Sequence, residues 1–114
     1  MIYNPFSVVV VPFPFTDKSH TKNRPALVIS CPEHQQQTEH VTCLMITSAK
    51  NSSWSSDHII EDLESAGLEV PSLIRQKVFT IDARIIKKVI GKLSAIEQKQ
   101  VINCLKKHIE IGHK

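Results

Sequence analysis

Short apolar runs rich in β-branched residues recur along the chain, and only its last part carries the period of a long helix. Runs of this kind, bounded by proline or polar residues, are typical of β-strands. The first is Val8–Val11, and the Pro-Phe-Pro-Phe segment after it ends the strand because proline cannot donate to a sheet ladder. Further strands are predicted at residues 25–30, 40–47, 57–60, 72–80 and 87–93. Since strands and helices do not alternate, the pattern predicts an antiparallel sheet.

The pattern of residues 94–112 predicts one long helix. Ser94 and Glu97 have the Ser-x-x-Glu spacing of a capping box, and Gly112 is expected to end the helix. Its apolar stripe, which we expect to be buried, consists of Val101, Ile102, Leu105 and Ile109. At 114 residues the chain is too short for a second core. We therefore predict a single domain, residues 1–114, that is mainly β with a C-terminal α-helix and forms a small antiparallel β-barrel.

Polar connections separate the strands. The polar residues 16–23 and 48–56 are each predicted to form an exposed loop. Residues 31–40 are predicted to form a loosely structured turn. The loop at residues 48–56 carries Trp54, which either packs over the rim of the barrel or forms a platform on which a base stacks. Residues 61–68 predict a turn of helix or a wide bend that ends at Gly67.

Charge is distributed unevenly along the chain. Residues 1–71 carry four Lys or Arg and eight Asp or Glu, a net −4, whereas residues 72–114 carry ten and three, a net +7. This asymmetry has two readings: a face that attracts an anionic polymer, or a solvated, Lys-rich C-terminal helix. The hydrophobic content of 41% excludes a disordered chain.

Cysteines and histidines do not suggest a disulfide framework or a metal site. The three cysteines are widely and irregularly spaced, which indicates reduced, buried thiols. The six histidines lack the paired short spacings of zinc sites, although convergence in the fold leaves a metal site open. No apolar stretch is long enough to span a bilayer, and the first residues lack the pattern of a secretory signal, so a cytoplasmic protein is expected.

Two cationic positions have geometric consequences. Arg24 precedes Pro25, which restricts it to an extended backbone at the entrance of the second strand. It is there either a structural salt-bridge partner or a charge that meets a substrate. Along residues 72–80, strand alternation places Arg75 and Lys77 on the same face.

Several motifs together resemble a known family. They are PFPFTD followed by RPALVIS, a third strand that ends in MITS, and VFTID ahead of IGKLS. From about Phe6 to the end of the C-terminal helix, the chain resembles the PemK/MazF toxins of bacterial toxin-antitoxin pairs. The resemblance implies an SH3-like β-barrel, a homodimer, a cognate antitoxin protein as partner, and a metal-independent endoribonuclease without cofactor that cuts single-stranded mRNA in the bacterial cytoplasm.

The resemblance also implies site residues. The catalytic set is Arg24, Thr47, His20 and, as the adjacent fallback for the hydroxyl, Ser48. The residues expected to bind RNA are Thr16, Asp17, Lys18, Lys22, Arg75 and Lys77. The chain departs from the family where Phe6-Ser7 replaces a common Gly-Asp, and where Lys77 occupies the place of an acidic residue.

RNA cleavage without a metal uses the 2′-OH of RNA as nucleophile and leaves a cyclic phosphate. Arg24 suits stabilisation of the charge that develops on phosphate oxygens, because its guanidinium is a fixed cationic donor. It does not suit the role of base, because it keeps its proton and cannot accept another. His20 has a suitable pKa for proton transfer, or is a solvated loop residue. Thr47 positions an oxygen of the substrate, or caps the turn that follows its strand.

Two rival functions stay open on the sequence. One is a noncatalytic barrel of the kind that engages DNA gyrase, and the other is an inactive family member that still binds its antitoxin. The antitoxin is expected as an acidic segment that lies in the cleft used by RNA.

Overall fold

The computed structural model describes residues 1–14, 21–50 and 53–109. The elements follow one another in chain order as strands, short helices and a long final helix. They are β1 (Ser7–Pro14), β2 (Thr21–Val28), α1 (Pro32–Thr38), β3 (His40–Ser48), β4 (His58–Ile59), α2 (Leu63–Ala66), β5 (Ser72–Asp82), a 3₁₀ turn (Ala83–Ile85), β6 (Lys88–Lys92) and α3 (Ala95–His108).

The six strands form one antiparallel sheet in the order β4-β5-β3-β2-β1-β6. The sheet is curled into a half-barrel, and β4 and β6 lie at its two ends. The predicted fold class, mainly β with a C-terminal helix, is confirmed. None of the helices in the described part of the chain is both long and apolar enough to cross a membrane.

Both faces of the sheet are covered, because alternate residues of the same strands enter two different apolar clusters. The first cluster includes Val9, Val11, Ala26, Val28 and Cys43. The second includes Val8, Leu27, Leu44 and Ile74, together with Val101 of α3. This arrangement explains why the run at Val8–Val11 is apolar at every position, as in strands that are buried on both faces.

The hairpin of β1 and β2 is longer than the sequence predicts. Its ladder runs from Val8↔Leu27 to Pro14↔Thr21, so β2 begins four residues before Pro25. Arg24 therefore lies within the strand, opposite Val11, and not at its entrance. The prediction failed because it treated the prolines of β1 as the end of pairing, whereas the strand continues to Pro14.

The polar stretch after β2 contains a helix, α1, where a turn was predicted. The helix begins with Pro32, which is favourable in a first helical turn because that position needs no amide donor. Gln35, only 1% exposed, holds the helix against the N-terminal segment. Its Nε2 donates to the carbonyl oxygens of Tyr3 (2.7 Å) and Ser30 (3.0 Å), and its Oε1 accepts from the Tyr3 amide (2.7 Å). A helix held by one buried amide has no apolar stripe from which it could be predicted.

Strand β5 does not keep the predicted alternation. Met45 pairs with Arg75 and Leu44 with Val78, so Gln76 and Lys77 form an insertion in the ladder. Arg75 is buried and Lys77 is exposed. The prediction that both cations project alike from one regular strand is wrong, because a bulge interrupts the strand between them.

Helix α3 shows one half of the predicted capping box: the Ser94 Oγ accepts from the Glu97 amide (3.3 Å), whereas the Glu97 carboxylate binds amides outside the helix. The helix ends at His108, earlier than the predicted end at Gly112, which lies outside the described residues. Its stripe is only partly buried: Val101 is fully covered, but Ile102 and Ile109 are 38% and 39% exposed.

The Glu97 side chain also joins α3 to the segment around β4. It is 2% exposed and accepts from the amides of Glu61 and Asp62 (3.0 Å each), and it contacts the His58 Nε2 at 2.6 Å. Burial alone would raise the pKa of Glu97, but the two amide bonds and His58 lower it overall. The carboxylate therefore stays ionised within the fold.

Candidate active site

The register of β2 and β3 brings the two principal predicted residues together. The strands pair at Ala26↔Met45, Leu27↔Leu44 and Val28↔Cys43. Arg24 lies two residues before Ala26 on β2, and Thr47 lies two residues after Met45 on the adjacent strand β3. Both residues then lie on the sheet face that carries Ala26 and Met45.

The predicted catalytic side chains differ in exposure. Arg24 is half-buried, and Thr47 is 7% exposed at the end of β3, where it pairs with Leu73. Ser48 follows on the opposite face by strand alternation, and its Oγ accepts from the Lys50 amide (3.2 Å). Ser48 thus caps the turn after β3, the role that the sequence left open for Thr47.

Arg75 lies on the same face, opposite Met45 in the ladder of β3 and β5. Its guanidinium binds Asp57 with two parallel bonds, Nε to Oδ1 at 3.0 Å and Nη2 to Oδ2 at 2.9 Å. Both side chains are largely buried, with 9% and 6% of their surface exposed. The hydrogen bond from Arg75 lowers the pKa of Asp57, and the same bond raises the pKa of Arg75. Arg75 therefore has a structural partner in addition to any contact with RNA.

The loop between β3 and β4 is fastened to this pair. The Trp54 amide donates to the Asp57 Oδ2 (2.8 Å), and the Asp57 amide donates to the Trp54 carbonyl (3.0 Å). The guanidinium of Arg75 lies over the indole of Trp54, 4.7 Å from the ring centroid. Trp54 nevertheless remains 44% exposed. Asp57 could not be identified from the sequence, because its partner is 18 residues further along the chain.

The other predicted RNA-binding residues are only partly described. Lys22 on β2 and Lys77 in the bulge of β5 are both exposed. Thr16, Asp17, Lys18 and His20 lie outside the described residues. Their predicted roles, including that of His20 in proton transfer, stay predictions.

The expected buried thiols are found at one position. Cys43 is fully buried, and burial raises the pKa of its thiol to about 12. Cys104 is half-buried and Cys31 is exposed, so the prediction of burial is wrong for Cys31, which precedes the unpredicted helix α1. Over residues 1–14, 21–50 and 53–109, no three His, Cys, Asp or Glu side chains are grouped as a metal site requires.

Solved structures share this fold over nearly their whole length. An endoribonuclease in complex with its cognate antitoxin from a mycobacterial species superimposes with a TM-score of 0.76 at 9% identity, covering 98% of this chain and 99% of that one. A MazE-MazF structure from Deinococcus radiodurans gives 0.78 at 14% identity, with 98% and 100% covered. The Mycobacterium tuberculosis toxin MazF-mt6 gives 0.73 at 18% identity, with 94% and 99% covered.

Sequence comparison is consistent with this fold. No curated protein matches the chain significantly. The sequence pattern of the family described as PemK-like, MazF-like toxin of type II toxin-antitoxin system matches residues 4–109. With nearly the whole chain matched, with the fold of the MazF structures and with its arginine and threonine on adjacent strands, this protein belongs to the PemK/MazF family of type II toxins.

Proposed function

We propose that the chain is an endoribonuclease toxin that cleaves single-stranded mRNA without a metal ion. The observation that supports this most strongly is that Arg24 and Thr47 lie on adjacent strands and, by strand alternation, on one face of the sheet. One of the structural neighbours is itself described as an endoribonuclease in complex with its cognate antitoxin.

In the proposed reaction, the 2′-oxygen of a ribose attacks the adjacent phosphorus as the 2′-proton passes to a base. The bond from phosphorus to the 5′-oxygen breaks, that oxygen takes up a proton, and a 2′,3′-cyclic phosphate remains. Negative charge gathers on the non-bridging oxygens in the transition state, and the Arg24 guanidinium binds them with its fixed pair of donors. The hydroxyl of Thr47 holds the phosphate or the 2′-oxygen in line, a task that needs no ionisation. His20 is proposed as the base.

Arg24→Ala is expected to slow cleavage by roughly a hundred- to a thousandfold, the usual effect of removing one donor that stabilises transition-state charge. The assay uses a long single-stranded RNA in EDTA, and fragments are analysed for cyclic phosphate ends. Arg84→Ala is the matched control. Arg84 is an exposed arginine that pairs with Asp82 and lies far from Arg24 in the sequence. Equal rates for wild type and Arg24→Ala would contradict the assignment, and RNA left intact by the wild type would favour a noncatalytic binding module.

We further propose that the toxin acts as a homodimer in the bacterial cytoplasm and is neutralised by a cognate antitoxin. Two of the structural neighbours are complexes of a toxin with its antitoxin, which supports such a partner. An acidic segment suits the net +7 of residues 72–114.

A further inference from the structure

Trp54 is the only tryptophan of the chain, and it lies in a loop with 44% of its surface exposed. The indole is the largest apolar side chain, and its uncovered part is available to a ligand.

The indole is held by a set of linked contacts that involve Arg75 and Asp57. One face of the ring is covered by the guanidinium of Arg75 at 4.7 Å, and Arg75 is itself fixed by two bonds to Asp57. Asp57 also accepts from the Trp54 amide at 2.8 Å. An aromatic ring held in this way loses little freedom when a second flat group stacks on it, which favours binding.

The indole packs on Arg75, which lies on the same sheet face as the candidate active site. Arg75 pairs with Met45, and Thr47 is the next residue of β3 on that face. Diagonal neighbours of this kind are about 7–8 Å apart between their Cα atoms. The loop that carries the ring precedes β4, which pairs with the other edge of β5, so RNA bound at Arg24 and Thr47 would reach the ring by continuing past β5.

We propose that Trp54 is a stacking platform for one unpaired nucleobase of single-stranded RNA that continues past the scissile phosphate along this face of the sheet. The inference rests on the proposed ribonuclease function and adds a binding subsite to it. Because every base has a π-face, the platform contributes affinity and sets the register of the strand, while base identity is read elsewhere. The Arg75–Asp57 pair acts as a positioning group that fixes the plane of the ring.

The sole tryptophan makes the test specific, since the intrinsic fluorescence of the protein reports on Trp54 alone. The probe is a single-stranded oligoribonucleotide with 2′-O-methyl groups throughout, which binds without being cleaved. We expect saturable quenching of the fluorescence, and we expect an abasic site at one position of the oligonucleotide to remove that quenching.

Substitution gives a second readout. Trp54→Leu is expected to weaken binding of this probe by roughly 5- to 150-fold, the usual effect of losing one stacked base, and Trp54→Phe to weaken it less. Ile96→Ala, at a 73% exposed position of α3, is the control and should bind as the wild type does. Far-UV circular dichroism checks that the variants fold, and the abasic series on the wild type decides the matter if Trp54→Leu does not.

The outcomes separate the two proposals. If the wild type cleaves RNA and binds the probe by fluorescence anisotropy without quenching, the platform is refuted and the ribonuclease stands. If the wild type neither cleaves RNA nor binds the probe, the proposed function fails and the platform fails with it. Quenching that every abasic position leaves unchanged would also refute the platform.

Discussion

At the scale of single residues, the pair of Arg75 and Asp57 shows how a buried charge is tolerated next to a binding face. The two parallel bonds satisfy both carboxylate oxygens, and the Trp54 amide adds a further donor. A buried pair of this kind contributes little when intact compared with a well-packed apolar pair, but loss of one partner leaves the other charge without compensation.

Asp57→Asn is therefore expected to lower the free energy of unfolding by about 3 kcal/mol near neutral pH. Urea denaturation at fixed protein concentration measures this, and Asp82→Asn is the control, whose loss of stability should be much smaller because its pair with Arg84 is exposed and screened by solvent.

The same substitution has a definite pH dependence. The pKa of Asp57 in the fold lies below its ordinary value of 3.8, mainly because of the hydrogen bond from Arg75. The stabilisation is thus complete above that value and is lost as the pH falls towards the folded pKa. The difference between wild type and Asp57→Asn should shrink as the pH falls below 3.8; a difference that grows on acidification would contradict this account.

At the scale of elements, α2 and β6 approach each other so closely that a side chain does not fit between them. A Cβ atom on Gly91 would lie 2.3 Å from the Ala66 carbonyl carbon and 2.6 Å from the Ser65 carbonyl oxygen. Gly67, which ends α2 with φ +74°, meets the Ile90 carbonyl oxygen in the same way, at 2.0 Å.

Gly91→Ala is expected to lower the free energy of unfolding by at least about 2 kcal/mol, because backbone atoms rather than a mobile side chain would have to shift. The shift of the urea midpoint measures the effect. Lys92→Ala, at the exposed next position of β6, should change stability by no more than about 0.5 kcal/mol. A stable Gly91→Ala protein would show that α2 and β6 can separate without cost.

Elements with a strong apolar period or a local cap were predictable from the sequence. β1, β3 and the start of α3 belong to this group, since each is specified by residues close together in the chain. Helix α1 and the bulge of β5 were not predictable, because both depend on distant partners. Gln35 hydrogen-bonds to Tyr3, which is 32 residues away in the sequence. The bulge is defined by the pairing of β5 with β3.

The candidate site follows the same division. Arg24 and Thr47 were identified by their motifs, and the sheet places them on adjacent strands. Asp57 was missed because a lone carboxylate in a polar loop has no periodicity to distinguish it. The burial of Arg75 was missed for a related reason, since its environment is supplied by that loop and not by its own strand.

At the scale of the whole molecule, the charge asymmetry of the sequence becomes a surface property. The lysines of residues 84–109 are exposed on β6, on α3 and in the turn before β6, and they are Lys87, Lys88, Lys92, Lys99, Lys106 and Lys107. A cationic surface attracts RNA and an acidic antitoxin alike, which makes their binding competitive where their sites overlap.

We expect the antitoxin and RNA to exclude each other from the toxin. Light scattering should first give the mass of a homodimer for the free toxin. Adding cognate antitoxin to toxin bound to the 2′-O-methyl probe should then release the probe, as measured by fluorescence anisotropy. A ternary complex that holds antitoxin and probe together would refute competition.

The three contacts that the Glu97 carboxylate makes outside α3 have a consequence for local unfolding. The same side chain receives the amides of Glu61 and Asp62, contacts His58 and belongs to the first turn of α3. The helix start cannot lift away without also releasing the edge strand, so the two segments form one cooperative unit of opening. We expect hydrogen-exchange measurements to show that their amide protons exchange together, although the segments are far apart in the chain.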